Sequence, residues 1–350
     1  MGNKHKVWVT RLGLLVTVAA LYLFLKDIHF RETWEAIRQT HVLWLIAGAV
    51  SIWGSLLSRA FRWRVFLGAE HLTIALSRLY HTLTIGFFGN SVLPARAGEF
   101  LRAYMLGRAE PIRFSEAFAT VIVERVFDLF AVIFAFALLL IVSPFPAEAL
   151  AENADLFNRM KFLGWIMGFG CCGFTALLTV MVRIPKPFHS LLERVTRWLP
   201  ESIQHRLVHS FDSFVNGLGA FASVQTALRA LAWTAVVWFT ILLSEYCTIR
   251  AFELEVSLFG TMILMSLLAF AVMVPQAPGY LGPFQLASEL TLVICFAVDK
   301  SEAKAFAIVL WFVQVIPILI LGLISLHHEG LTLGQMWRSV KTRQDQDSAE

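Results

Sequence analysis

Charge is scarce in this sequence: Asp, Glu, Lys and Arg together make up 15% of its 350 residues, against about 25% in an average soluble domain. With 57% hydrophobic residues and a mean hydropathy of +0.67, that shortage excludes a chain that folds with water as its only solvent. Long polar stretches are missing too. Apolar runs recur from residue 7 to residue 326, so no stretch is left from which an aqueous core could be built. Cysteine is rare, and Cys171, Cys172, Cys247 and Cys295 all fall inside apolar runs. They read as buried hydrophobes rather than disulfide partners or ligands. There is no HExxH, no CxxC or Cys/His metal spacing, no Walker loop, no GxGxxG after a strand and no GxSxG elbow. No metal or cofactor is expected, no residue is assigned a catalytic role, and an enzyme is the less favoured reading.

What is present is a series of apolar segments near 7–25, 42–57, 80–93, 117–142, 162–182, 229–249, 257–275, 283–298 and 304–326. Most can cross a hydrocarbon core of about 30 Å, which takes roughly 20 helical residues. The fold class is therefore all-α, a polytopic transmembrane helical bundle. The basic start (Lys4, Lys6, Arg11) before an apolar run resembles a signal peptide, but no small-residue cleavage site precedes Lys26, so it reads as a retained first helix. Residues 1–330 form one membrane domain, with a first half to about 182, an interfacial linker over 183–228 and a second half from 229. Residues 331–350 form a cytoplasmic tail.

Two segments are broken. Segment 80–93 holds Gly86, Gly89 and Asn90, ends at Pro94, and is followed at once by the charged stretch Arg96 to Arg102. Segments 257–275 and 283–298 are separated only by a breaker run from Pro275 to Pro283. Orientation follows from the basic residues. The N-terminal tail, the stretch with Arg59, Arg62, Arg64 and Arg78, the stretch with Arg102, Arg108 and Arg113, the linker from Arg183 to Arg229, and the tail with Arg338, Lys341 and Arg343 fall in the cytoplasm. Residues 143–161, with Glu148, Glu152 and Asp155, and the loop with Glu253 and Glu255 fall outside. Parity then requires residues 80–105 to enter and leave on the cytoplasmic side and residues 257–298 on the outer side. Two broken hairpins of opposite orientation point to inverted repeats around a mid-membrane site. Two ordinary spanning helices joined by a tight turn give the same parity. In the linker, Val208, Phe211, Val215, Leu218 and Phe221 recur at helical spacing beside His205, Arg206 and His209, which fits an interfacial helix or one packed on the bundle.

Three sets of polar residues stand out. If the segment after Pro94 is helical, Arg96, Glu99 and Arg102 share a face, so the acid neutralises one arginine while the other stays available for a phosphate. Asn90 lies just before them, and Gly89 and Gly98 let backbone approach a ligand. The plain alternative is a cytoplasmic loop with arginines reaching headgroups. Within residues 117–142, Glu124 and Asp128 share a face at i, i+4, and Arg125 pairs with Asp128. Each such charge costs about 2.5–3.5 kcal/mol at a helix centre, so this net-negative triad needs another cation, which Arg96 or Arg102 could supply. A purely structural ion network is the alternative. In the second half, Glu245 and Glu289 stand inside apolar segments and together suggest a polar path. Gly164 and Gly168 fit small-xxx-small helix packing, and His327 and His328 sit at a membrane boundary.

The run from Asn90 to Tyr104, Glu124-Arg125-Val126-Phe127-Asp128, and Pro278-Gly279-Tyr280-Leu281-Gly282-Pro283 occur in the order, and in the membrane context, of one family. The chain resembles the lysylphosphatidylglycerol synthase transmembrane, or flippase-like, family from about residue 10 to 326. The resemblance implies a domain that moves lipids between leaflets, similar to the flippase portion of multiple peptide resistance proteins and to members linked to hopanoid or polyprenyl-lipid handling. The expected substrate site comprises Asn90, Arg96, Glu99, Arg102, Glu124, Arg125, Asp128, Pro278, Gly279, Gly282, Gln285 and Glu289, with Arg96 and Arg102 on the headgroup and Glu99, Glu124, Arg125 and Asp128 setting the charge balance. Gln285 departs from the family, which usually has Glu after this turn; Glu289, one turn later, is the alternative carboxylate. No aminoacyl-transfer domain follows residue 326, so this chain alone is not expected to make aminoacylated lipid. The expected partner is a membrane lipid with an anionic headgroup in a bacterial inner membrane, with both termini cytoplasmic and no nucleic acid bound. Two alternatives stay open: a membrane transferase using Glu124 or Asp128 as base, and a scaffold for a separate lipid-modifying enzyme.

Overall fold

The structure, a computed structural model, describes residues 15–26, 28–68, 71, 73–93, 96–142, 154–197, 201–218, 223–273 and 278–331. The basic N-terminal tail, Pro94, the loop holding Glu148 and Glu152, Phe221, the breaker residues 275–277 and the C-terminal tail lie outside these, as do the side chains of Cys171, His205 and Arg206.

Among the described residues the chain is helical without strands. The order is α1 (Leu15–Leu25), α2 (Phe30–Arg38), α3 (Val42–Leu67), α4 (Leu76–Val92), α5 (Ala97–Ala109), α6 (Phe114–Val142), α7 (Ala154–Arg183), α8 (Pro185–Thr196), α9 (Glu201–Gly217), α10 (Val224–Ala251), α11 (Leu258–Met273), α12 (Pro283–Phe296) and α13 (Lys300–His328). Length and composition allow α3, α10, α13, the Gly164–Arg183 part of α7 and the stretch Pro278–Phe296 to cross a membrane. Local chemistry starts several of these helices. Ser223 Oγ accepts the Thr226 N–H ahead of α10, and Asp299 accepts from the Ser301 and Glu302 N–H groups ahead of α13.

The antiparallel pair α3 and α10 forms the spine: Phe61 stacks on Trp233 at 4.8 Å between centroids, and a Cβ on Gly48 would lie 3.1 Å from the Ser244 carbonyl. Around it, α4 and α5 form one hairpin and α11 and α12 a second. Arg78 at the start of α4 reaches Glu110 just past α5 at 3.7 Å and also pairs with Glu329, which gathers the open end of the first hairpin with the end of α13. The open end of the second lies oppositely, where His41 meets Glu253 at 2.8 Å and Ser301 donates to Glu32 at 2.7 Å. Two hairpins thus enter the bundle from opposite ends.

Glycine does a different job in the first hairpin from the one its sequence suggests. A Cβ on Gly98 would fall 1.9 Å from the Gly86 carbonyl oxygen and 2.6 Å from the Asn90 nitrogen. Gly86, Gly89 and Gly98 therefore press α4 against α5 and are not turned toward a ligand. Elsewhere the expectation of small-residue packing is met, with Gly164 of α7 against Phe136 of α6. In the linker, α9 packs on α6: Leu218 is buried and Phe214 lies on the same core, so the bundle covers this face. Cys247 and Cys295 are buried as expected, whereas Cys172 is exposed on α7.

Candidate functional site: a buried arginine network

The charged residues of α6 face inward because every third or fourth position of this helix meets α3, α5 or α10. Glu124 is fully buried and gathers guanidinium groups from three helices: Arg125 at 2.7 Å, Arg102 of α5 at 2.9 Å, and Arg62 and Arg59 of α3 at 3.1 and 3.6 Å. Asp128, one turn on, meets Arg62 at 2.6 Å, and Arg59 and Arg125 at 3.6 Å each. It also accepts from Trp238 Nε1 on α10 at 3.3 Å, while Arg62 donates to Thr234 at 3.1 Å. Arg125 reaches Glu99 of α5 at 3.7 Å. Aromatic rings line the rest, with Phe87 5.0 Å from Arg59 and Trp63 5.2 Å from Arg102.

Arg59 and Arg62 correct the sequence reading, which ends the apolar segment at residue 57 and places both in a cytoplasmic stretch. The helix runs on to Leu67, and Arg62 is fully buried. Their i, i+3 spacing matches the i, i+4 spacing of Glu124 and Asp128, the one signal that pairs the two helices. With them the charge balance changes sign. Arg59, Arg62, Arg102 and Arg125 stand against Glu99, Glu124 and Asp128, a surplus of one positive charge where the sequence suggested a net-negative triad. Several guanidinium nitrogens also lack directed partners. Arg102 Nη2 is close enough to Glu124 to form an ion pair, yet none of the three Arg102 nitrogens has hydrogen-bond geometry, and the same holds for Arg62 Nε and Nη2.

The two hairpin turns close over this network. Arg96 is not part of α5 but caps it in the left-handed region at φ 53°, and its guanidinium donates to the Val272 carbonyl at the end of α11. Arg96 and Glu99 therefore do not pair, because the turn at Arg96 rotates its side chain off the helix face. Opposite, Gly279, Tyr280 and Gly282 are also left-handed, at φ 80°, 61° and 91°. A Cβ on Gly279 would lie 3.6 Å from the Ser91 carbonyl of α4, and Tyr280 lies in the field of Arg96, Arg125 and Glu99. Left-handed non-glycine residues cost about 1–3 kcal/mol each, and both turns hold one. Asn90 is buried beside them, its Oδ1 without a hydrogen-bond partner among the described residues.

The remaining expected residues lie elsewhere. Pro278 opens a short turn ahead of α12, and the Gly279 carbonyl accepts from Trp311 at 2.7 Å. Gln285 Oε1 accepts the Gly282 N–H at 2.7 Å and so starts α12 instead of facing the arginines. Glu289 lies 3.8 Å from Lys304, a fully buried residue not singled out in the sequence, which also donates to the Phe24 carbonyl. Glu289 thus does not replace a carboxylate in the network. Glu245 meets Gln314 at 3.2 Å, about two turns beyond Trp238 along the same face of α10.

A polytopic helical bundle with a buried cationic network between two opposed broken hairpins defines the class. Residues 11–322 match the lysylphosphatidylglycerol synthase TM region family, and the chain belongs to it. It is similar to a UPF0104 membrane protein of Methanothermobacter thermautotrophicus, 24% identical over 305 residues that cover 80% of this chain and 82% of the relative. It is also similar to the glycosyltransferase AglD of Haloferax volcanii, 23% identical over 319 residues, 85% of this chain and 50% of that protein. A further UPF0104 membrane protein of M. thermautotrophicus is 30% identical over 165 residues, 47% of this chain and 42% of its own. The chain is a multi-pass membrane protein.

Proposed function

We propose that this protein translocates a lipid with an anionic headgroup between leaflets and that the arginine network is where the headgroup docks. The observation that carries this reading is the positive surplus: a closed ion network has no use for an extra buried guanidinium, whereas a phosphate supplies the missing charge and acceptors. The hairpin arms support a mid-membrane location. Of these, α4, α5 and α11 hold 17, 13 and 16 residues, or about 20–26 Å at 1.5 Å per residue, short of a core of about 30 Å, whereas Pro278–Phe296 is long enough to cross one. We read both hairpins as re-entrant and the end with Arg78 as cytoplasmic, in a bacterial inner membrane. The two turns meet, so rocking one half against the other opens the network to alternate sides.

Leaflet exchange of a fluorescent anionic phospholipid in proteoliposomes tests this. Wild type is expected to accelerate exchange, and Arg96→Gln, which removes a cation from the turn and breaks no ion pair, is expected to slow it at least tenfold. Equal rates for protein-containing and empty vesicles would sink the proposal. The glycosyltransferase name of the Haloferax relative favours a second reading, service to lipid-linked sugar transfer. Mass spectrometry of lipid from the same vesicles separates the two, since transfer changes lipid mass and translocation does not. Against Glu124 or Asp128 as a base stands their occupation by arginines.

A further inference from the structure

Away from the arginine network, the second half buries a carboxyl that no cation meets among the described residues. Glu245 is 2% exposed on α10. Its Oε1 accepts the Gln314 side-chain amide of α13 at 3.2 Å, and its Oε2 is buried without a hydrogen-bond partner. The helices around it are tightly closed: a Cβ on Gly48 of α3 would lie 3.0 Å from Val313 and 3.1 Å from the Ser244 carbonyl.

The facing surfaces are bare of charge. α3 has no titratable residue between Val42 and Ser58, α13 none between Ala305 and Leu326, and α11 none at all. On α6, the carboxylates meet α10 at the level of Thr234 and Trp238, roughly 10 Å or more from Glu245 along the helix axis. On α10 itself the near neighbours are Tyr246 and the buried Cys247, and Arg250 is exposed beyond them. A lone carboxylate in such a place costs several kcal/mol, and a bound proton removes that cost. A weak point adjoins the site. Pro317 lies three residues beyond Gln314 inside α13 and has no N–H for the Val313 carbonyl, so the partner helix can bend there.

We propose that Glu245 is a proton-binding site of the second half, separate from the arginine network. It holds a proton while α3, α10 and α13 are closed on it. When α13 bends at Pro317 and water enters, the carboxyl O–H bond breaks, its electron pair stays on the oxygen and the proton passes to water. The site stands by itself; its use as the coupling step for lipid movement rests on the translocation reading above.

A hydrophobic carbodiimide, which adds to protonated carboxyls in apolar surroundings, tests the site on the purified full chain over an acid-to-alkaline pH series. Peptide mass spectrometry is expected to find an adduct on Glu245 that falls at least tenfold as pH rises, and none on Glu124 or Asp128. Lack of the adduct on the folded chain, under conditions that label the same peptide after denaturation, overturns the proposal, as does labelling indifferent to pH. In proteoliposomes, an imposed pH gradient is expected to change lipid exchange several-fold in wild type and not in Glu245→Gln. Exchange that ignores the gradient in wild type removes the coupling role. No exchange in any variant instead defeats the translocation reading, and the labelling alone then decides the proton site.

Discussion

The first hairpin adds Glu99 and Arg102 to a network with the buried Arg59 and Arg62, the half-buried Arg125, Glu124 and Asp128, whereas the second meets the interior with Gln285 on a backbone N–H and Glu289 beside Lys304. Both are short-armed, both turn through left-handed residues, and each reaches the other's tip. Among the described residues, then, the second hairpin stands with far less charge than the first. The larger network and its surplus charge answer to something other than hairpin architecture, which weakens the view that the arginines only hold helices together. The two halves also divide the chemistry: fixed cations in one, a lone carboxyl at Glu245 in the other.

The largest expected effect lies at the centre of the charged half. Glu124→Gln keeps the shape and one acceptor but leaves four arginines against Glu99 and Asp128. Breaking a buried ion network from one side costs about 3–5 kcal/mol, so this variant is expected to lose most of its monodisperse protein on heating in detergent. Glu289→Gln breaks a single, looser pair at 3.8 Å and leaves Lys304 with the Phe24 carbonyl, so the expected loss lies at the low end of that range, about 3 kcal/mol. Equal losses in size-exclusion melting curves would break the contrast between the hairpins.

Much of this contrast is legible in the sequence, and the part that is not has a physical reason. Apolar run lengths gave the helices, breaker residues gave both hairpins, and the parity imposed by the basic loops gave their opposed entry. Glu124, Arg125 and Asp128 declared themselves as charges that hydrocarbon does not tolerate unpaired. Arg59 and Arg62 did not, because a basic pair at the end of an apolar run looks the same whether the helix stops at residue 57 or continues to Leu67. Lys304 was hidden in the same way at the start of α13. Which helix supplies the partner depends on register between distant segments, and a single sequence carries no signal for that. Glycine misled for a related reason: Gly98 is needed for a close approach, but only the fold shows that the approaching backbone is Gly86.

That glycine gives the next contrast. Gly98→Ala would set a methyl 1.9 Å from a carbonyl oxygen that is part of a helix. Backbone cannot step aside without parting α4 from α5, and the expected cost is about 3 kcal/mol. In the second hairpin, a Cβ on Gly260 would meet the Phe296 ring and Val256 at 2.8 Å, both side chains that can rotate. Gly260→Ala is expected to cost about 1 kcal/mol, readable as a smaller shift in the same melting curves.

The smallest effect sharpens the comparison on the neutral side. If Gln285 serves only to start α12, then Gln285→Ala removes the acceptor of the Gly282 N–H and should cost about 1 kcal/mol, as other helix caps do. Hydrogen exchange is expected to show faster exchange at Gly282 and in the first turn of α12, with α4 and α5 unchanged. Gln285→Glu keeps an acceptor at the same N–H and should keep that protection. A Gln285→Ala variant that slowed lipid exchange as much as Arg96→Gln, with protection at Gly282 intact, would put Gln285 on the headgroup and join the second hairpin to the first in one site. Without that result, the turn at Gly279 to Gly282 shapes the passage by backbone alone, and the charged work stays with α3, α5, α6 and the turn at Arg96.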